Sequence, residues 1–113
     1  MTVTQSVNNG CHVLRLNGRF DFQSRHGIQK AIEKAEQGGA LHIILNLQGV
    51  SYIDSAGLGI LAVMHKQLTA LHIHATIVNP QGYVKGLLEL AKMDTFFPIH
   101  ATEEQAMASL AKV

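Results

Sequence analysis

The run Leu41-His42-Ile43-Ile44-Leu45-Asn46-Leu47 is apolar at odd and even positions alike, save for His42 and Asn46. A strand sends successive side chains to opposite faces, so a run apolar on both faces needs cover on both, which packed helices supply. The segment before it, Ser24 to Gln37, places Ile28, Ala31, Ile32 and Ala35 at helical spacing and stops at Gly38-Gly39. A helix leading into a buried strand, with another strand ahead of it, implies a crossover and at least partly parallel pairing. The expected class is α/β.

The remaining elements follow from the same periodicities. Residues 2 to 7 and 11 to 17 flank Asn8-Asn9-Gly10, whose Asn-Gly supplies the positive φ angles of a tight turn, so the chain opens with a β-hairpin. In its second arm Val13 and Arg15 point one way and Leu14 and Leu16 the other, the pattern of a half-buried strand. Gly18 to Phe22 reads as a short connection carrying the exposed carboxylate of Asp21. Residues 57 to about 71 read as a helix, and Leu71 to Val78 as a strand with Leu71, Ile73, Ala75 and Ile77 on one face and His72 and His74 on the other. Asn79-Pro80 breaks that strand. A helix from about Gln81 to Lys92 follows, with Val84, Leu87, Leu88 and Ala91 as its buried stripe. Phe96 to His100 contains Pro98, which suits an edge strand. Thr102-Glu103-Glu104-Gln105 has capping-box spacing for a last helix carrying Ala106, Leu110 and Val113. The sum is a mixed sheet of four to five strands with about four helices, in one domain over residues 1–113.

At the junction between the central strand and the next helix stands Val50-Ser51-Tyr52-Ile53-Asp54-Ser55-Ala56-Gly57-Leu58-Gly59-Ile60-Leu61. The first amides of a helix lack internal partners, and the aligned peptide dipoles leave partial positive charge there. Asp54 and Ser55 are both good caps, and Gly57 and Gly59 remove bulk so that another molecule can come close. Leu58, Ile60, Leu61, Val63 and Met64 do not keep to one stripe, so some apolar side chains are left over to line an outer surface. A hydroxyl beside such a patch suits a docking site. A phosphate on Ser55 would add about −1.5 to −2 charge next to Asp54, with the helix end offsetting it inside the domain, so docking could fail while the fold survives.

Other chemistries lack their parts. The nucleophile elbow needs Gly two residues before the Ser, where Ile53 stands, and no P-loop is present. Asp21, Asp54 and Ser55 offer too few carboxylates for a persuasive Mg²⁺ site. His72 and His74 have no third and fourth ligand at a recognisable spacing, so neither metal nor cofactor is expected. The nine basic and eight acidic residues nearly cancel, without a basic cluster or aromatic platform for nucleic acid. Cys11 is the sole cysteine and reads as a small strand hydrophobe, compatible with a reducing compartment. Ala56 to Met64, the longest apolar run, is too short to cross a bilayer, and the first residues have no signal-peptide pattern. A cytoplasmic, non-enzymatic protein is expected.

In this order of elements the chain resembles the STAS family, shared by sulphate transporters and anti-sigma factor antagonists. The resemblance is carried by Gly18-Arg19-Phe20-Asp21, by the block from Leu45 to Gly59 with Asp54-Ser55 at its heart, and by Val78-Asn79-Pro80 with Leu87-Leu88-Glu89-Leu90 behind. It implies a STAS-type domain and, for a stand-alone member, an anti-sigma factor antagonist. In such members the Ser or Thr after the motif Asp, here Ser55, is phosphorylated by a serine kinase that doubles as an anti-sigma factor. The unphosphorylated form binds that kinase and frees its target, and a PP2C-type phosphatase restores the binding form. Asp21 and Asp54 would then lie on the docking face, with Gly57, Leu58 and Leu61 lining it. Two residues depart from the pattern: Ala56 stands where many antagonists carry a second hydroxyl, and Arg19 where some carry an acid. The rival implication is a regulatory STAS subunit of a transporter complex, acting in trans without phosphate exchange.

Overall fold

The computed structural model describes residues 1–8 and 10–110. Its strands β1 (Thr2–Asn8), β2 (Cys11–Phe20), β3 (His42–Ile53), β4 (His74–Val78) and β5 (Ile99–His100) lie side by side in chain order. β1 runs antiparallel to β2, and every later pair is parallel. The crossovers are made by α1 (Arg25–Gln37), α2 (Ser55–Ala70) and α3 (Gly82–Leu90), and α4 (Glu103–Leu110) follows β5. This is the α/β class with the opening hairpin that the sequence predicts. Of the turn residues, Gly10 has φ +78°, as a tight hairpin needs; Asn9 lies outside the described residues, as does Val113.

Two cores share the sheet. Ile28, Ile32 and Ala35 of α1, Leu61, Met64 and Leu68 of α2, and Val84 and Leu88 of α3 pack on Leu14, Leu16, Ile43, Leu45, Leu47 and Ile77. On the other face Ala106 of α4 closes over Cys11, Val13, Ile44 and Val78. β2 is therefore not half-buried as expected: Val13 is 1% exposed because α4, some ninety residues further along the chain, covers it. Cys11 is buried in that smaller core, as a small hydrophobe would be, and its thiol is pushed up by burial and by the nearby charge of Glu103.

Several element boundaries differ from expectation. β2 continues through Gly18 to Phe20 and β3 through Gln48 to Ile53, pairing Arg19 with Tyr52 and Phe20 with Ile53. Register shifts at Arg15/Asn17 and Gly18/Arg19 carry the strands past polar residues and glycines that look like a loop. At the far end of α2, Leu71 is the C-cap and is exposed, while His72 takes the left-handed conformation, so β4 starts only at His74. His72 and His74 consequently do not share a strand face; His74 stacks instead on His42, its register partner on β3, with ring centroids 5.4 Å apart. α2 itself begins at Ser55, two residues before the expected start. In α4 the amide of Gln105 donates to Thr102 Oγ1 at 3.1 Å, but the returning Gln105 side chain accepts from Ala101 rather than Thr102.

Candidate functional site

The parallel pair β2 and β3 ends with two carboxylates side by side in the fold, each at the head of a helical turn. After Phe20 the chain stays extended at Asp21, whose carboxylate accepts from the Gln23 amide at 3.0 Å, starting a short 3₁₀ helix over Phe22–Ser24. Ser24 Oγ accepts from the Asp21 amide and donates to the Arg19 carbonyl, closing a reciprocal box. Asp21 is thus partly buried, and its Oδ2 lies 3.6 Å from Arg19 Nε.

Asp54 repeats the arrangement one strand over. It remains extended, at φ −127° and ψ −172°, and its Oδ1 accepts from the Gly57 amide at 3.0 Å. Its Oδ2 accepts from Tyr52 Oη at 3.3 Å. With Asp54 as the cap, Ser55 becomes the first helical residue of α2 and is exposed. The hydroxyl is therefore not the group that caps the helix. It sits where the helix end favours negative charge, beside a carboxylate that disfavours it.

Around Asp54 the structure gathers Arg19, Tyr52 and Tyr83. The Arg19 guanidinium lies 3.9 Å above the Tyr52 ring, in cation–π range. Tyr83 of α3 approaches Tyr52 with centroids 6.5 Å apart, and its hydroxyl accepts from the Ile53 amide at 3.2 Å. The Tyr52 phenol is pushed up by desolvation, then by the charge of Asp54 and its hydrogen bond to it, against the opposing pull of Arg19. Tyr52 was within reach of sequence reasoning, since it lies two residues before Asp54 and so on the same face of the strand. Tyr83 comes from thirty residues away and gives no local signal.

The expected docking residues divide. Ser55 and Leu58 are at least partly open, and Asp21 and Asp54 are partly buried at the same end of the sheet. Gly57 and Leu61 are both buried, Leu61 completely, and neither lines a surface. Gly57, Leu61, Met64 and Leu68 form the stripe that α2 turns to the sheet. A Cβ on Gly57 would collide with the Phe20 carbonyl oxygen, so this glycine permits close packing of α2 on the end of β2, not approach of a partner.

The open apolar surface lies on the next side of α2. A groove of about 340 Å³ runs between α1 and α2, lined among others by Phe22, Ile28, Ala56, Gly59, Ile60 and Val63. Phe22 is 70% exposed and Val63 52%. The groove starts at Ala56, immediately after Ser55. Among the described residues, no group of three or more His, Cys, Asp or Glu is placed to hold a metal ion, and no helix is long and apolar enough to cross a membrane.

A family model described as "STAS domain" matches residues 2–106. The chain is 31% identical over 96 residues to an anti-sigma F factor antagonist of Lysinibacillus sphaericus, covering 84% of this chain and 81% of the relative. Its fold is similar to that of the anti-sigma factor antagonist SpoIIAA in its unphosphorylated form, with a TM-score of 0.79 and 25% identity over 99% of this chain and 98% of the other. It is similar too to the Bacillus cell fate determinant SpoIIAA in the phosphorylated form, with a TM-score of 0.72 and 25% identity over 96% and 99% of the two chains.

Proposed function

The chain belongs to the STAS domain family, and from that premise we propose that it is an anti-sigma factor antagonist whose binding to its partner is switched by phosphorylation of Ser55. The observation that carries the reading is the division of labour at the head of α2: Asp54 caps the helix, and the neighbouring Ser55 hydroxyl stands free on the surface. The similar protein SpoIIAA, an anti-sigma factor antagonist, is known in unphosphorylated and phosphorylated forms, which supports a phosphate-based switch.

In this reading the unphosphorylated protein docks an anti-sigma factor that is also a serine kinase, with Ser55 presented to the kinase and the groove from Ala56 to Val63 taking an apolar segment of it. Phe22, Leu58, Ile60 and Val63 supply the contact area, in place of the buried Gly57 and Leu61. Transfer of a phosphate to Ser55 sets about −1.5 to −2 charge beside Asp54 and Asp21 on the docking face, and the complex separates. The amides at the start of α2 offset that charge within the domain, so the fold is kept. A PP2C-type phosphatase returns the protein to its binding form, and the cycle runs in the cytoplasm.

The test is titration of the protein with the anti-sigma factor kinase of its own cells. Ser55→Ala should bind as the wild type does without ATP and stay bound when ATP is added. Ser55→Asp should bind at least about tenfold more weakly, the equivalent of ~1.4 kcal/mol. Equal affinity of wild type and Ser55→Asp, or phosphate appearing on a different residue, would overturn the proposal.

A further inference from the structure

The two edges of the sheet are treated differently. β5 is two residues long and follows Pro98, so it offers little to pair with. β1 is a seven-residue strand whose outer side meets no other strand among the described residues. Its sequence, Thr2-Val3-Thr4-Gln5-Ser6-Val7-Asn8, has none of the devices that usually guard an edge: no charge, no Pro, and no register shift against β2.

Which backbone groups are free follows from the hairpin. Asn8 pairs with Cys11 across the two-residue turn, and the pair flanking such a turn exchanges hydrogen bonds, as do the pairs at every second position beyond it. Thr2, Thr4, Ser6 and Asn8 thus spend their amides and carbonyls on β2. Val3, Gln5 and Val7 direct theirs outward.

We infer that β1 is a self-association edge, joining a second copy of this chain antiparallel about a two-fold axis through Gln5. The argument is the match of the strand with its own reverse. In that register Val3 lies opposite Val7 of the second copy, Gln5 opposite Gln5, and Thr4 opposite Ser6. Apolar meets apolar, amide meets amide, and hydroxyl meets hydroxyl, which are favourable cross-strand pairs, and no like charges face each other. The register also matches the free backbone groups, since Val3, Gln5 and Val7 pair only among themselves. It gives Val7 a neighbour: Val7 is 64% exposed in the single chain, whereas Val3 already packs against the main core. Gln5 lies on the same side, with its Nε2 donating to the Ala31 carbonyl at 3.2 Å. An isologous pair of this kind closes on itself and does not propagate into a fibre. The product is one continuous sheet through both copies, with Ser55 two strands away from the joint and still open.

The test is the mass of the full chain in solution by light scattering over a concentration series, beside amide exchange read by NMR. A rise from 12.3 kDa to twice that value is expected, with the amides of Val3, Gln5 and Val7 becoming slower to exchange as the dimer fills and those of Thr4 and Ser6 slow throughout. Val7→Pro removes one outward amide without touching the β1–β2 ladder, and Gln5→Lys sets two ammonium groups across the axis; each should hold the protein at 12.3 kDa. A Phe22→Ser control, on the α1–α2 groove, should still dimerise. A chain that stays monomeric at every concentration, a dimer indifferent to both β1 substitutions, or outward amides that exchange at the same rate in monomer and dimer would overturn the inference.

Discussion

Asp54 Oδ1 and the Gly57 amide lie 3.0 Å apart, and this single bond settles that Asp54, not Ser55, caps α2. A capping Ser would have its oxygen committed to an amide and its side chain turned inward over the helix end. The bond should therefore be measurable as a stability term separable from Ser55. Asp54→Ala is expected to lower stability by about 1 kcal/mol, and Asp54→Asn by less because its amide oxygen can still accept. Ser55→Ala should leave the urea midpoint nearly unchanged. A midpoint that falls for Ser55→Ala and holds for Asp54→Ala would reverse the assignment.

Gly57 and Gly59 sit two residues apart in the same helix and should respond oppositely to a methyl group. At Gly57 a Cβ meets the Phe20 carbonyl oxygen and comes 2.8 Å from Ile53 Cγ1, so Gly57→Ala forces α2 off the end of β2 and should cost about 1–3 kcal/mol. At Gly59 nothing lies within 4 Å, and Gly59→Ala should gain up to ~1 kcal/mol from helix propensity alone. Thermal unfolding of the two variants decides it. Similar shifts in both would mean that α2 does not pack on β2 as described.

Glu103 is where α4 is fastened to the sheet. Its carboxylate takes both Arg15 Nη2 at 2.8 Å and Arg15 Nε at 3.1 Å from β2, and Asn46 Nδ2 at 2.6 Å from β3. Burial alone would push this carboxyl up, but the hydrogen bonds from Asn46 and Arg15 and the Arg15 charge outweigh it and hold Glu103 below its ordinary value of 4.5. A carboxylate depressed in the folded state stabilises the fold above its unfolded value, and that stabilisation disappears as pH falls through the folded one. Arg15 is 43% exposed, which weakens the pair through solvent screening. Glu103→Gln should accordingly cost about 1 kcal/mol, below the ~1.5–3 kcal/mol of well-buried hydrogen bonds to charged groups. Hydrogen exchange should rise in α4 before it rises in α1. Equal acceleration in both helices would show that Glu103 does not fasten α4 locally.

Much of this was readable from residue patterns, and the failures have a common cause. The spacing Ile28, Ala31, Ile32, Ala35 identifies α1 without help from the rest of the chain, and the run Leu41 to Leu47 announces a strand covered on both faces. Those patterns are local. The buried stripe of α2 is not: with apolar residues around much of the helix, only the sheet's position selects Gly57, Leu61, Met64 and Leu68. A glycine that admits a partner and one that admits a backbone carbonyl look alike in sequence, and only the packed structure shows that Gly57 is the second kind. The last residues of β2, from Gly18 on, read as a connection because bulged strands use loop residues. The contacts Tyr83 to Ile53 and Glu103 to Arg15 join residues 30 and 88 apart, and nothing at either end announces the other.

The His42–His74 stack makes a last prediction, on acid stability. Among the described residues His42 Nδ1 is buried without a hydrogen-bond partner, and the ring faces His74 across the β3–β4 register at 5.4 Å. Burial first, and the like charge of His74 second, lower the His42 pKa from its ordinary 6.5. In the window between the lowered folded value and 6.5 the unfolded chain binds a proton at His42 that the folded chain refuses. Stability must then fall as pH drops through that window, and the loss stops growing below the folded value, where both states are protonated. His42→Phe keeps a ring against His74 and removes the titration. Its stability should decline less steeply than the wild type's between about pH 7.5 and 5.5, the range around the unperturbed imidazole value. Chemical denaturation at closely spaced pH values reads the two slopes. If they coincide, the proton taken up on acid unfolding belongs elsewhere and the stacked pair does not set the acid limit of this fold.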